Sequence, residues 1–227
     1  MADITIRRHQ SIFDPALYPQ SINIIGCGAT GSRVFMALTE LGCMNINCYD
    51  FDHVEDHNLA NQAFMAKHIL IPKVEACRDL YKLKTGRDAP ESMTFNNVRV
   101  PEADAELMSG CIFLLTDTMA SRREIYEEVI KDNPLVTFVI ETRMASTHGN
   151  VNVFDPNDPK QAKKWVDSLI DDGEAELSPC GQPISVGTTA SIIANLAVMQ
   201  YMWWSSNLEA ANQNIEIYLK PFMTSGA

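Results

Sequence analysis

The chain has 227 residues, is 46% hydrophobic and carries a formal net charge of -11. A chain of that length fits one large domain burying about 70% of its unfolded surface, and the acidic balance argues against nucleic-acid binding by phosphate neutralisation. The opening MADITIRRHQSIFDP has no apolar run of the signal-peptide kind, and polar residues interrupt the most apolar stretch, Ile184 to Trp204. The expectation is therefore a cytoplasmic protein with no membrane contact.

The predicted elements alternate strand and helix. Ile22–Ile25 reads as a first strand and Gly31–Leu41 as a helix, with Val34, Leu38 and Leu41 on one face. Met44–Asp50 is a second strand, Pro72–Lys84 a helix with proline near its first position, and Met93–Val98 a third strand. Cys111–Thr116 is a fully apolar strand, as a central parallel strand should be. Ser121–Lys131 is a helix and Leu135–Glu141 a further buried strand. After Gly149 come a short strand, Val151–Phe154, and a helix from Asp158-Pro159 to about Ile170, with Gln161 at the reciprocal capping position. An acidic loop, Asp171–Pro183, precedes a long helix, Gly187–Trp204, and a last strand, Ile215–Leu219. The long helix carries Ile192, Ile193, Leu196, Met199, Met202 and Trp203, which suit core packing and a dimer face about equally. The pattern predicts an α/β fold: a Rossmann-like, doubly wound, mainly parallel sheet with helices on both faces and a C-terminal helix–strand extension. The expected organisation is an N-terminal arm over 1–20, a nucleotide-binding domain over 21–156, and an extension over 157–227 packed on it.

The chemistry is concentrated behind the first strand. NIIGCGATGS places Gly26, Gly28 and Gly31 in the spacing G-x-G-x-x-G between a strand and a helix. The first glycine permits the tight turn, the second lets the backbone of Gly28, Ala29 and Thr30 approach phosphates, and the third lets helix pack on strand. The helix start offers free N–H groups and partial positive charge to an anion. Asp50 follows Gly31 by 19 residues, where such folds keep a carboxylate for ribose hydroxyls. Those features suit NAD and ATP equally. The polar run after Asp52, HVEDHNLANQAF, then Lys73 at a helix start and Asp117 after the apolar strand, suit a triphosphate with magnesium better. A lysine neutralises phosphate charge and a separate carboxylate holds the metal. Taken singly, Lys73 reads equally as a solvated helix-end lysine and Asp117 as a helix cap.

Six cysteines are present and none forms a C-x-x-C pair, so no zinc is expected. Cys43, Cys48 and Cys111 read as inert core residues. Cys180 lies in the acidic loop, which disfavours a thiolate.

The segments INIIGCGATGS, CYDFDHVEDHNLANQ, IPKVEA, LLTDTMASRR and ETRMASTHGNVNVF together resemble the ThiF/MoeB-like, ubiquitin-activating-enzyme-like adenylyltransferases. The resemblance implies an enzyme that uses ATP and Mg2+ to join AMP to a carboxylate, usually the C-terminus of a small β-grasp protein, releasing pyrophosphate. It implies that Gly26, Gly28 and Gly31 hold phosphates, that Asp50 holds the ribose, that Asn58 and Lys73 contact the phosphates, that Asp52 and Gln62 belong to the nucleotide site, and that Asp117 positions magnesium. It implies a homodimer in which Arg8, in preference to Arg7, reaches the partner's triphosphate. Cys180 matches a place where relatives carry an acyl-accepting cysteine; its own surroundings favour an ordinary loop residue. One departure stands out: Asn61 occupies the position of a triphosphate-binding arginine. Arg122, Arg123 and Arg143 are alternative donors. The departure keeps open a second reading, an inactive relative serving as a binding module or partner subunit. An NAD-dependent oxidoreductase is the third, weakened by the lack of an identifiable catalytic His or Tyr–Lys pair.

Overall fold

The computed structural model describes residues 4–102, 108–170, 184–206 and 214–226. Its centre is one sheet of eight strands in the order β3-β2-β1-β4-β5-β6-β7-β8. The strands are β1 (Ile22–Ile25), β2 (Ile46–Tyr49), β3 (Thr94–Asn96), β4 (Gly110–Leu114), β5 (Val136–Met144), β6 (His148–Phe154), β7 (Asn214–Leu219) and β8 (Phe222–Gly226). Pairing is parallel from β3 through β5 and antiparallel from β5 through β8.

Side-chain alternation divides the core. Ile24 of β1 and Cys111 and Phe113 of β4 face one apolar cluster, while Ile25, Ile112 and Leu114 face the other. The first cluster is covered by α1 (Gly31–Glu40), α2 (Lys73–Thr85) and α5 (Gly187–Ser206), through Phe35, Leu38, Leu80, Ile193 and Tyr201. The second is covered by α3 (Met119–Ile125), the π turn that extends it (Tyr126–Ile130), and α4 (Pro159–Asp167), through Ile125, Ile130 and Trp165. Each fully buried Ile, Leu or Phe contributes about 1.5–3 kcal/mol, so covering both faces is what the uninterrupted apolar run of β4 requires. The expected Rossmann-like, doubly wound architecture is the observed one.

Three local expectations need correction. β5 continues past Glu141 to Met144 and turns into β6 already at His148, not Val151. Most of the added residues are polar or charged, and Arg143 is held by the buried Glu141, so the extension carries little apolar signal. Ile215–Leu219 is not the last strand, because β8 pairs with it; all of β8 is exposed and lacks periodicity. At α4, Asp158 accepts from Lys160 and Gln161 N–H, but the reciprocal Gln161 carbonyl takes the N–H of Asp155 rather than that of Asp158.

The long helix α5 is buried on one side, at Ala190, Ile193, Ala194, Ala197 and Tyr201, and exposes Ile192 and Met199 on the other. No helix among the described residues is long and apolar enough to cross a membrane. The acidic segment 171–183, with Cys180, lies outside the described residues.

Candidate functional site

Parallel strands deliver their following loops to one sheet edge. There the glycine loop is held by its own backbone. Gly26 has φ of +95°, and a side chain on it would meet Leu115 O at 2.8 Å. A Cβ on Gly31 would lie 1.8 Å from Gly26 O, so the helix can begin only with glycine there. Gly28 differs: nothing lies within 4 Å of where its Cβ would be. Its backbone therefore faces open space, as a phosphate-approaching position must. Ser32 fixes the loop to its surroundings, donating to Gly28 O at 2.7 Å and accepting from Ala63 N–H at 3.0 Å.

Asp50, at the end of β2, is 8% exposed. Its Oδ2 accepts from Cys27 N–H at 2.7 Å and its Oδ1 from Asp52 N–H at 2.8 Å. Burial raises its pKa, against the opposing pull of Lys73 and the two amides. Each carboxylate oxygen has a second lone pair for a hydroxyl donor. Asp50 thus shapes the glycine loop as well as offering a ribose contact.

Lys73 is not a solvated helix-end lysine. It is 8% exposed and donates through Nζ to Asp52 Oδ2 at 2.8 Å. The loop before it is fastened to its own start, with Lys73 N–H on Asp52 O and Val54 N–H on Ile71 O, both at 2.9 Å. Burial disfavours the ammonium, but Asp50 and Asp52 outweigh it and its pKa is raised. Lys73 is a fixed cation at neutral pH.

Asp117 does not cap α3; Thr118 does, accepting from Ser121 N–H at 3.1 Å. The Asp117 side chain is exposed just beyond β4. Arg122 holds the loop under it, donating to Thr116 O from Nη2 at 2.6 Å and from Nε at 3.1 Å. No cluster of three or more His, Cys, Asp or Glu suited to a metal occurs among the described residues. A single carboxylate is nonetheless an ordinary protein share for magnesium, which takes its other ligands from phosphates and water.

Asn58 is buried, and its Oδ1 accepts from Glu55 N–H at 2.9 Å, closing the short helix that it sits in. Asn61 Oδ1, Gln62 Oε1 and Arg33 Nε are buried atoms without a hydrogen-bond partner among the described residues. Unmade hydrogen bonds of this kind are costly, and these surround the loop that the nucleotide reading needs. The open Gly28 backbone and the unpartnered Arg33 Nε donor fit a phosphate ligand, whereas the two amide oxygens are acceptors and would take a hydroxyl or N–H donor.

Arg122 and Arg143 are committed elsewhere, both to the fully buried Glu141, at 2.8 Å and 3.1 Å. Arg123 is exposed on α3. Arg8 is exposed in the turn after Ile6, whose side chain lies against Gly42 at the opposite end of the strands from the glycine loop. The structure thus brings Asp50, Asp52, Asn58, Asn61, Gln62, Lys73 and Asp117 to the sheet edge of the loop and leaves Arg8 away from it. A cavity of about 600 Å3 lies at Arg8's end, lined by Ile4, Ile6, Met44, Tyr81 and Arg87. Sequence reasoning missed Ser32 and Arg33. The available signal was a cation in the first turn of a helix, where the dipole disfavours one.

The ThiF family model matches residues 15–224. PaaA is similar in structure at 18% identity and TM-score 0.70, over 97% of this chain and 67% of that one. Escherichia coli MccB is similar at 13% identity and TM-score 0.74, over 97% of this chain and 66% of that one. MccB with ATP matches at 14% identity and TM-score 0.68, over 97% and 68%. This chain thus spans about two thirds of the length of those proteins. No curated relative matches the chain.

Proposed function

The chain belongs to the ThiF family, and from that premise we propose that it is an ATP- and Mg2+-dependent adenylyltransferase acting on a carboxylate. The observation that carries this reading is the glycine loop with an open Gly28, flanked by buried Lys73 and an uncapped, exposed Asp117. Bound MgATP supplies the α-phosphorus that the carboxylate attacks, with pyrophosphate as leaving group. The chain's own residues then position and neutralise. The backbone of Gly28, Ala29 and Thr30 and the start of α1 bind phosphate oxygens. Lys73 offsets phosphate charge, Asp50 accepts a ribose hydroxyl beside Asp52, and Asp117 holds the magnesium. Asn58 and Gln62 line the phosphate side. No general base is needed, because the substrate carboxylate is ionised at neutral pH. Rate comes from orientation and electrostatic stabilisation.

The substrate class in this proposal is a protein or peptide C-terminus, such as that of a small β-grasp, ubiquitin-like protein. Support comes from the family and from MccB, described as a microcin C7 biosynthetic enzyme in complex with N-formylated MccA. The proposed assembly is a cytoplasmic homodimer, in which Arg8 serves the partner's site. One chain cannot supply Arg8 to its own loop, which lies at the other end of the strands. Zinc has no part in the proposal, and Cys180 is assigned no acyl transfer.

The test is pyrophosphate release from MgATP in the presence of candidate C-terminal carboxylates. Lys73→Ala and Asp117→Ala should each abolish it; full release in either variant overturns the assignment. The neutral side chain of Asn61 beside the loop favours a second reading, a nucleotide-binding partner subunit. Binding of MgATP without release against any carboxylate would select it, and binding of NAD alone would refute both.

A further inference from the structure

The charges around the glycine loop do not balance for a polyanion. Lys73 is held by Asp52 at 2.8 Å and faces Asp50 as well. Those groups sum to a net negative charge before any phosphate arrives. Arg122 and Arg143 are bound to Glu141; Arg122 also holds Thr116 O and Thr142 O, and Arg143 holds Ser168. Beyond the Mg2+ and the partner-derived Arg8 of the proposed function, α1 offers a further cation within the chain.

Arg33 lies in the first turn of α1, its N–H on Thr30 O at 3.1 Å. That turn holds no acidic residue to offset it. A cation there opposes the positive end of the helix dipole, so the position costs stability unless an anion sits nearby. Its side chain is half-buried, and Nη2 approaches Asn61 O at 3.5 Å, too long for a good hydrogen bond. Nε is buried and unpartnered among the described residues, as are Asn61 Oδ1, Gln62 Oε1 and Ser185 Oγ. The start of α5 closes on the same spot. A side chain at Gly187 would meet Arg33 Nη2 at 3.2 Å and Ala60 O at 2.9 Å. The guanidinium is therefore confined between two helix starts and the Asn61 turn, with donors to spare.

We propose that Arg33 binds the terminal phosphates of the nucleotide, so that the outgoing pyrophosphate is held by a guanidinium from the glycine-loop helix itself. A guanidinium matches phosphate oxygens with paired N–H donors and stays charged at any working pH. This assignment rests on the nucleotide-binding reading above.

The experiment is calorimetric titration of MgATP and, separately, AMP into the wild-type chain, Arg33→Ala and Arg33→Lys. AMP lacks the terminal phosphates and reports whether the fold and the rest of the site survive. Arg33→Ala should weaken MgATP by roughly 10- to 100-fold and leave AMP within about 2-fold, with Arg33→Lys between. Equal losses for both ligands would make Arg33 a structural residue and overturn the assignment. Unchanged MgATP binding in Arg33→Ala would overturn it too, while leaving the nucleotide reading intact. A wild-type chain that binds neither ligand would remove the nucleotide reading, and this assignment with it.

Discussion

Replacing Glu141 by Gln should destabilise the protein more than any other single charge removal outside the glycine loop. The carboxylate is fully buried and accepts from Arg122 Nη1 at 2.8 Å, Arg143 Nε at 3.1 Å, Asn152 Nδ2 at 2.7 Å and Trp165 Nε1 at 3.3 Å. Removing its charge strands two guanidinium groups. The Arg143 side chain is 15% exposed and recovers some hydration, but that of Arg122 is only 6% exposed. Breaking a buried pair from one side costs about 3–5 kcal/mol. For a domain of this size each kcal/mol lowers Tm by about 2–4 °C, so Tm should fall by about 6–20 °C. Because Arg122 also holds Thr116 O beneath Asp117, any activity should fall along with stability. Thermal unfolding followed by calorimetry reads the effect. The double variant Glu141→Gln with Arg122→Met should recover part of the loss, because an apolar isostere leaves no stranded charge. A Glu141→Gln variant melting within about 2 °C of the wild type, against the scale of breaking a buried pair, would refute the reasoning.

The glycines should separate function from stability. Gly31→Ala forces a Cβ to 1.8 Å from Gly26 O and should unfold or displace the loop, seen as a lost or much lowered melting transition. Gly28→Ala enters open space and should leave Tm nearly unchanged while nucleotide affinity falls, read by melting and titration on one sample. Asp158→Ala removes the α4 cap and should cost about 1 kcal/mol, lowering Tm slightly with no change in nucleotide binding. Sedimentation of the intact chain should show a dimer, and Arg8→Ala should lower pyrophosphate release without altering sedimentation; a monomer with full activity would refute the assigned role of Arg8.

The parallel half of the sheet was legible because short apolar runs such as Cys111–Leu114, alternating with helical stretches, suit strands covered on both faces. The glycine loop and its following carboxylate were legible because backbone sterics leave few residue choices there. β8 was not, since a fully exposed edge strand needs no apolar pattern. The extension of β5 was hidden because Thr142 and Arg143 owe their places to hydrogen bonds and to Glu141, not to hydrophobic burial. At the site, Asp50 and Lys73 were readable from position, but not the clasp of Lys73 by Asp52, which depends on how the 52–72 loop folds back. Arg33 gave only a faint signal, a cation in the first turn of α1. The role proposed for it rests on which neighbours fail to satisfy it, and a sequence does not show that. The sequence offered Arg122, Arg123 and Arg143 as substitutes for the missing arginine at 61; the fold spends Arg122 and Arg143 on Glu141.

The contact of Gly31 with Gly26 O has a kinetic consequence. The loop is locked shut by backbone against backbone, and Asp50 clamps it from β2. A ligand therefore meets a cradle that is already formed, and no ordering step should delay capture. Encounter is then governed by long-range forces, and a chain of net charge -11 repels a polyanion from a distance. Moderate salt shortens the reach of that repulsion. On the proposed reading, association of a nucleotide should consequently speed up as ionic strength rises, even while its hold through the proposed Lys73 and Arg33 contacts grows weaker.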